Sequence, residues 1–204
     1  LVARWAEEYM RTHPGVAVYA EGGGTGAGIR ALTDGKVDLC AASRTMHPEE
    51  IRELLERRGF LGVNVLTGKD ALSIYLHPAN PVHNLTLAQL KSILTGATTR
   101  WSEVGGEDRP ISVHGRQPNS GTYGFVRDHV LDGAPYAPGA ATHANTAAVV
   151  RAVVADPGAI GYGGMAYGDT VAHCALEGVT PTPGHVRDGF YPLARYLYLY
   201  SGGP

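Results

Sequence analysis

The sequence lacks several features that would define a function class at once. No apolar stretch approaches the ~20 residues that span a bilayer, and no signal peptide is visible. Charged residues make up only 18% of the chain and the formal net charge is -2, so the broad basic surface of a nucleic-acid-binding protein is missing. No two histidines are spaced i, i+4 on a predicted helix, and no carboxylate cluster suits Mg²⁺. We therefore expect no metal and no cofactor.

Cysteine is scarce as well. Cys40 and Cys174 are the only two, and both lie in apolar stretches without a CxxC pattern or a metal-ligand spacing. We expect two buried free thiols, with a disulfide as the alternative, and the redox compartment stays open.

Glycine and proline, by contrast, are plentiful, with 28 and 13 residues, which predicts many turns and loops lined by backbone. The chain opens in the middle of an amphipathic helical pattern and closes just after a strand pattern. We therefore expect it to be truncated at both ends, so that the missing signal segment carries no information.

Hydrophobic periodicity predicts alternating strands and helices, which is typical of an α/β protein with a largely parallel sheet. Helices are predicted at 1–12, 48–58, 87–94, 120–131 and 146–155, with a further helical pattern through residues 29–32. Strands are predicted at 16–20, 37–42, 63–66, 71–76, 111–113, 159–162 and 191–200. The pattern of predicted strands and helices changes after a Pro-rich, structure-breaking segment near residue 78. This change predicts a first lobe at 1–75 plus 186–204 and a second at 76–185.

Two loops join a strand to a helix in the same chemical style. The first is the Gly-rich run Gly22–Gly28, which contains Thr25, and the second runs from Arg116 through Ser120 to Thr122. A helix start presents unpaired N–H groups and the positive end of the helix dipole, so it favours an anion. Hydroxyls add donors, and an arginine adds a charged fork. The alternative is that these loops are only tight turns with Thr25 or Ser120 as N-caps.

Neither loop matches a nucleotide-binding motif. No Gly-Lys-Ser/Thr follows the first loop, and Asp38 is a weak candidate for the acidic residue of a dinucleotide-binding fold. A phosphate-ester hydrolase would need a nucleophile beside a base, and Ser120 lacks the Gly-x-Ser-x-Gly context.

Several blocks, in order along nearly the whole chain, resemble the phosphate-binding receptors of bacterial ABC transporters. The blocks are Gly22–Leu32, Gly35–Arg44, Asn80–Thr86, Leu94–Gly106, Arg116–Thr122, Ala159–Tyr162 and Tyr191–Arg195. The resemblance implies a type II periplasmic-binding-protein fold, an α/β fold of two lobes that close around the ligand. It also implies an extracytoplasmic, non-enzymatic and monomeric receptor whose partners are inorganic phosphate and a membrane permease.

Carried over by motif, the resemblance implies that the anion is surrounded by Thr25, Ser43, Arg116, Ser120, Gly121 and Thr122. Relatives also have a Gly-Ser-Thr-rich loop before the first helix that touches the ligand, and this chain lacks it. Many relatives place Asp where Ser43 stands, as an acceptor for the proton of hydrogen phosphate that sulfate does not carry. Asp70 or Glu21 could replace that acceptor, although the expectation for both is a solvated carboxylate.

Two other interpretations stay open: a module with this fold that has lost its ligand, and a hydrolase that uses the loops as a phosphate cradle. For the remaining prominent side chains we expect structural roles. Arg44 is predicted to pair with Glu49 or Glu50 rather than to reach the ligand, and Trp101 is predicted to pack. The alternating tyrosines of the last strand, Tyr196, Tyr198 and Tyr200, are predicted to form a packing surface.

Overall fold

The computed structural model describes residues 2–202. Its α-helices are α1 Val2–Thr12, α2 Thr25–Thr33, α3 Pro48–Arg58, α4 Leu87–Thr95, α5 Gly121–His129, α6 Thr146–Ala155 and α7 Pro183–Arg187. Its strands are β1 Leu39–Ala42, β2 Val63–Leu76, β3 Asn84–Leu85, β4 Ser112–Arg116, β5 Ala141–His143, β6 Ala159–Gly164, β7 Ala172–Leu176 and β8 Ala194–Ser201. A short 3-10 helix covers Trp101–Val104. Within the described residues, no helix combines the length and apolar character needed to cross a membrane.

Local signals explain where the best-predicted helices begin and end. Helix α3 begins at Pro48, where Glu50 accepts from the backbone N–H of His47, and it ends at Arg58, followed by the C-cap Gly59 with a φ of 79°. Proline near the start and a left-handed glycine past the end are the expected punctuation of a helix. Helix α6 matches its predicted bounds, because Asn145 caps its start by accepting from the N–H of Ala148.

The strands form one sheet in the order β1-β8-β2-β6-β4-β5, with β7 beside β2 and β3 beside β7. Strand β2 changes partner along its length. Val63–Ala71 pairs with β8, whereas Leu72–Leu76 pairs with β6. The two long strands β2 and β8 therefore connect two parts of the molecule.

Separate hydrophobic cores mark these two parts. The smaller core lies between the β1/β8 strands and helices α2 and α3, and its buried members are Ile29, Leu32, Cys40, Ala42, Met46, Leu54 and Tyr200. The larger core fills the second lobe and includes Leu76, Trp101, Val126 and Tyr162. The α/β class with two lobes is thus confirmed. The lobe boundaries at residues 75/76 and 185/186 stay a prediction.

The expected direction of the strands is wrong for the first lobe. Strand β8 runs antiparallel to both β1 and β2, and β2 is also antiparallel to β6 and β7. Parallel pairing is found for β4 with β5, β4 with β6, and β3 with β7. The physical reason is that hydrophobic periodicity reports which residues of a strand are buried and does not encode the direction of the neighbouring strand.

Two further strand predictions need correction. Residues 16–20 form no strand and pair with none of the strands within residues 2–202, and Tyr19 is 90% exposed. Alternation of small apolar residues favours a strand only where a neighbour can complete its hydrogen bonds. The strands predicted at 63–66 and 71–76 are one strand, because a register shift between Leu66 and Gly68 interrupts the pairing without ending it.

Both cysteines are free and buried, as predicted. Burial raises the pKa of the Cys40 thiol to about 11 and that of the Cys174 thiol to about 12. The two thiols lie in different cores, Cys40 in the smaller and Cys174 in the larger.

Candidate anion-binding site

Hydroxyl groups from two segments of the first lobe meet at the start of α2. Thr25 is the first residue of that helix, and Ser43 follows directly after β1. The backbone N–H of Ser43 donates to Thr25 Oγ1 at 3.1 Å, and the two hydroxyl oxygens are 3.3 Å apart. Thr25 is buried and does not cap its own helix, whose N-cap is Gly24. The interpretation of Thr25 as a plain N-cap is therefore wrong.

The start of α5 in the second lobe carries the matching donors. Ser120 is the N-cap, and its Oγ accepts from the N–H of Thr122 at 3.2 Å. Ser120, Gly121 and Thr122 are all buried. A Cβ atom on Gly121 would overlap the hydroxyls of Thr25 and Ser43. The absence of that atom is what allows the α5 start to approach the hydroxyls of the first lobe.

The openings of α2 and α5 face each other across the lobes. The N–H of Gly26 donates to the carbonyl oxygen of Asn119 at 3.2 Å, and Asn119 Nδ2 donates to the carbonyl oxygen of Gly23 at the same distance. Gly24 has a φ of 85°, and a Cβ there would lie 2.9 Å from the carbonyl oxygen of Asn119. Two positive helix ends therefore lie close together, which favours negative charge beside them.

Arg116 ends strand β4 just before the α5 opening. Its Nη1 donates to Thr146 Oγ1 at 3.1 Å and its Nη2 to the carbonyl oxygen of Ala144 at 3.0 Å. Its Nε is buried without a hydrogen-bond partner, and no carboxylate within residues 2–202 forms an ion pair with this guanidinium. Burial lowers the pKa of Arg116. A desolvated positive charge with an unused donor calls for an anion to compensate it.

The hydroxyl oxygens of Thr25, Ser120 and Thr122 all act as hydrogen-bond acceptors. Each oxygen accepts a hydrogen bond from an N–H group: Ser43 N–H to Thr25, Thr122 N–H to Ser120, and Arg195 Nη1 to Thr122. A hydroxyl carries one proton besides its lone pairs. Once a lone pair is occupied, the proton remains available to donate, so the cluster is suited to an acceptor such as an oxyanion.

Arg195 and its partner Asp70 were not predicted as part of this cluster. Arg195 is 8% exposed, donates to Thr122 Oγ1 at 3.1 Å, and forms an ion pair with Asp70 Oδ2 at 3.0 Å. The expectation of a solvated Asp70 is thus wrong, because β2 and β8 place it directly opposite Arg195. Glu21, in contrast, is exposed. The signal in the sequence was the block Tyr191–Arg195, but it gave no indication of the contact with Thr122.

The remaining predicted side chains have structural roles. Arg44 makes two hydrogen bonds with the carboxylate of Glu50, at 2.7 and 2.8 Å, which confirms the expected pair. Trp101 is buried, and its indole N–H donates to the carbonyl oxygen of Gly158 at 2.9 Å. The described part of the chain contains no group of three or more His, Cys, Asp or Glu residues that could hold a metal ion.

Comparison with known proteins matches this arrangement to a class of two-lobed binding proteins. The family model described as a PBP superfamily domain matches residues 1–204. The phosphate-binding protein PstS of Pseudomonas aeruginosa is 31% identical over 219 residues, which cover 98% of this chain and 68% of the relative. PstS of Bacillus subtilis is 30% identical over 206 residues, which cover 100% of this chain and 66% of the relative. The chain thus spans roughly two thirds of these relatives.

Solved structures agree with the sequence relatives. A Clostridium perfringens structure, described as a substrate-binding protein of a phosphate ABC transporter with bound phosphate, has a TM-score of 0.89 and 29% identity, covering 98% of this chain and 80% of that one. A phosphate transport receptor of the ABC type from Vibrio cholerae has a TM-score of 0.82 and 27% identity, covering 99% and 82%. The chain belongs to the PBP superfamily and, within it, to the family of the PstS phosphate-binding proteins.

Proposed function

We propose that this protein is a receptor that captures one inorganic phosphate ion between its two lobes and presents it to the membrane permease of an ABC transporter. It acts outside the cytoplasm and as a monomer. The ligands we propose are the hydroxyls of Thr25, Ser43, Ser120 and Thr122, the backbone N–H of Gly121, and the guanidinium of Arg116. The observation that carries the proposal is the buried Nε of Arg116, a donor without a hydrogen-bond partner at the end of the strand that precedes the α5 opening.

The chemistry of the ligand follows from that site. Donors converge from both lobes, so the ligand must offer acceptors in several directions at once. A tetrahedral oxyanion does so with four oxygens, and its charge compensates Arg116 and the two helix ends. The PstS relatives carry the name of phosphate-binding proteins, which supports phosphate among the tetrahedral oxyanions.

Selectivity against sulfate must come from an acceptor for the phosphate proton, because sulfate is unprotonated at neutral pH. Ser43 stands where many relatives place Asp, and a hydroxyl is a poorer acceptor than a carboxylate. Asp70 is engaged by Arg195. We therefore propose that this receptor discriminates between phosphate and sulfate less strictly than a site with a free carboxylate.

We propose that no chemistry follows capture. Ser120 Oγ accepts from the N–H of Thr122 within its own helix start, and no histidine or carboxylate hydrogen bond to it is found within residues 2–202. A nucleophile needs such a base to be activated. The site is consequently built to hold an anion rather than to transfer a phosphoryl group.

Isothermal titration with phosphate and with sulfate tests this function, alongside an assay for phosphate release from p-nitrophenyl phosphate. We expect saturable one-to-one phosphate binding, weaker but measurable sulfate binding, and no release of phosphate from the ester. Ester turnover would identify a hydrolase. If neither phosphate nor sulfate binds and no ester is hydrolysed, the protein is a module that has the fold but no ligand.

A further inference from the structure

We propose that Arg195 and Asp70 act as a positioning pair, whose task is to fix the hydroxyl of Thr122 as a donor to the bound anion. This inference rests on the proposed function, because it concerns how the phosphate site is prepared. It assigns a role to two residues outside the set that the resemblance implies.

Arg195 is held from three sides. Its Nη2 and Nε donate to Asp70 Oδ2 at 3.0 and 3.3 Å, its Nη1 donates to Thr122 Oγ1 at 3.1 Å, and its guanidinium lies 5.7 Å from the ring centre of Phe125. The side chain of Arg195 is 7% exposed and that of Asp70 is 21% exposed. A planar fork held at this many points has little rotational freedom, so the donor to Thr122 keeps one direction.

The hydroxyl of Thr122 is the group that this direction controls. A neutral hydroxyl can rotate and can either donate or accept. With Arg195 Nη1 donating to its oxygen, the proton is turned away from the arginine and is free to donate to an oxyanion. The hydroxyl oxygens of Thr25 and Ser120 accept hydrogen bonds from backbone N–H groups. The hydroxyl oxygen of Thr122 instead accepts from the side chain of Arg195 on strand β8.

The pair also lies next to the point where strand β2 changes its partner strand. Asp70 and Arg195 are direct register partners on β2 and β8, one residue before β2 changes partner between Ala71 and Leu72. These two strands connect the lobes. The hydrogen bond from Arg195 to Thr122 therefore connects the start of α5 to strands β2 and β8.

A double-mutant cycle on phosphate affinity tests the inference. The pair deletion replaces both members together, Asp70→Asn with Arg195→Met, so that the net charge of the protein does not change. It is made in the parent chain and in the Thr122→Val variant, and phosphate affinity is measured for all four proteins. In the parent chain, pair deletion should weaken phosphate binding roughly three- to tenfold, the value of one oriented hydrogen bond. In Thr122→Val, pair deletion should change the dissociation constant by less than about twofold, because the oriented hydroxyl is already gone.

The matched control is the other partly buried ion pair, Arg44 with Glu50, whose side chains are 13% and 23% exposed. Glu50→Gln with Arg44→Met should have the same effect on phosphate affinity with and without Thr122→Val. Equal effects of the Asp70/Arg195 deletion in both backgrounds would overturn the inference while leaving the receptor function intact. Absence of phosphate binding by the parent chain would overturn the proposed function and this inference together. Arg195→Lys is the variant to use if the pair deletion does not fold. It keeps the charge but lacks the planar fork, and it should lose affinity only where Thr122 is present.

Discussion

Arg116 carries its charge where water has limited access, and the surrounding protein supplies only a carbonyl and a hydroxyl as acceptors. Such an environment stabilises the folded protein poorly, and it binds an anion well, because the anion supplies the missing countercharge. The sequence predicts Arg116 as a ligand of the anion, since a strand end followed by Ser-Gly-Thr is a local pattern, and this role stays a prediction. The sequence could not show the pair of Arg195 with Asp70, which are brought together across 125 positions only by strand register.

Replacing Arg116 by Ala should weaken phosphate binding by about 2–4 kcal/mol, because a desolvated charged partner is lost. Ser120→Ala should cost less, about 1–2 kcal/mol, since it removes one donor among several. Titration calorimetry measures both. An Arg116→Ala variant with the affinity of the parent would remove this arginine from the site.

At the scale of elements, the site depends on how closely α5 approaches the loop after β1. Gly121 makes that approach possible. Its place in the anion site stays a prediction, and its contact with Thr25 and Ser43 was not predicted from the sequence. The reason is that packing between lobes follows from tertiary geometry, whereas the Gly-rich motif signals only local backbone freedom.

Gly121→Ala should therefore weaken phosphate binding by about 1–3 kcal/mol, the usual cost of overpacking. The added methyl group would displace the hydroxyls of Thr25 and Ser43. Gly139→Ala is the matched control, since a Cβ at Gly139 meets nothing within 4 Å. Phosphate titration of the two variants should show a loss for the first only. Equal affinities would mean that α5 does not approach the hydroxyls as described.

Strands β4 and β5 bring two histidines together close to Arg116, which ends β4. His114 Nδ1 lies 3.1 Å from His143 Nε2. Burial, and after it the charge of His143, lowers the pKa of His114 from its ordinary value, and the charge of Asp156 acts in the opposite direction. In the unfolded chain His114 has its ordinary pKa of about 6.5 and binds a proton more readily than in the folded protein. The contribution of neutral His114 to the free energy of unfolding is therefore fully present above about pH 6.5, and it is lost as the pH falls through the lower pKa of the folded state.

Urea unfolding of the parent and of His114→Gln between about pH 8 and about pH 5 tests this linkage. The parent should lose more stability than the variant over that range. Identical pH profiles would show that His114 does not contribute to the pH dependence.

At the scale of the whole molecule, the class of fold was predictable because ordered sequence blocks run through nearly the entire chain. The direction of its strands was not, because antiparallel pairing of β8 depends on where the end of the chain returns. The failed strand at residues 16–20 has the same origin, since alternation cannot tell whether a partner strand is present.

Each lobe buries one thiol, which makes the cysteines reporters on the two cores. With pKa values raised to about 11 and about 12, Cys40 and Cys174 are mostly protonated and shielded in the folded protein. Labelling with a thiol reagent at about pH 8 should be slow for both and become fast in denaturant. Rapid native labelling of either one, located by peptide mass spectrometry, would show that its core opens easily.

In the proposed complex, a single oxyanion is held by donors from both lobes. A crystal structure grown with arsenate, a tetrahedral phosphate analogue whose arsenic gives an anomalous signal, tests this most directly. We expect one arsenic peak at the α2 and α5 openings, with the arsenate oxygens within hydrogen-bonding distance of Thr25, Ser120 and Arg116. A peak that contacts one lobe alone, or lies elsewhere on the molecule, would contradict it.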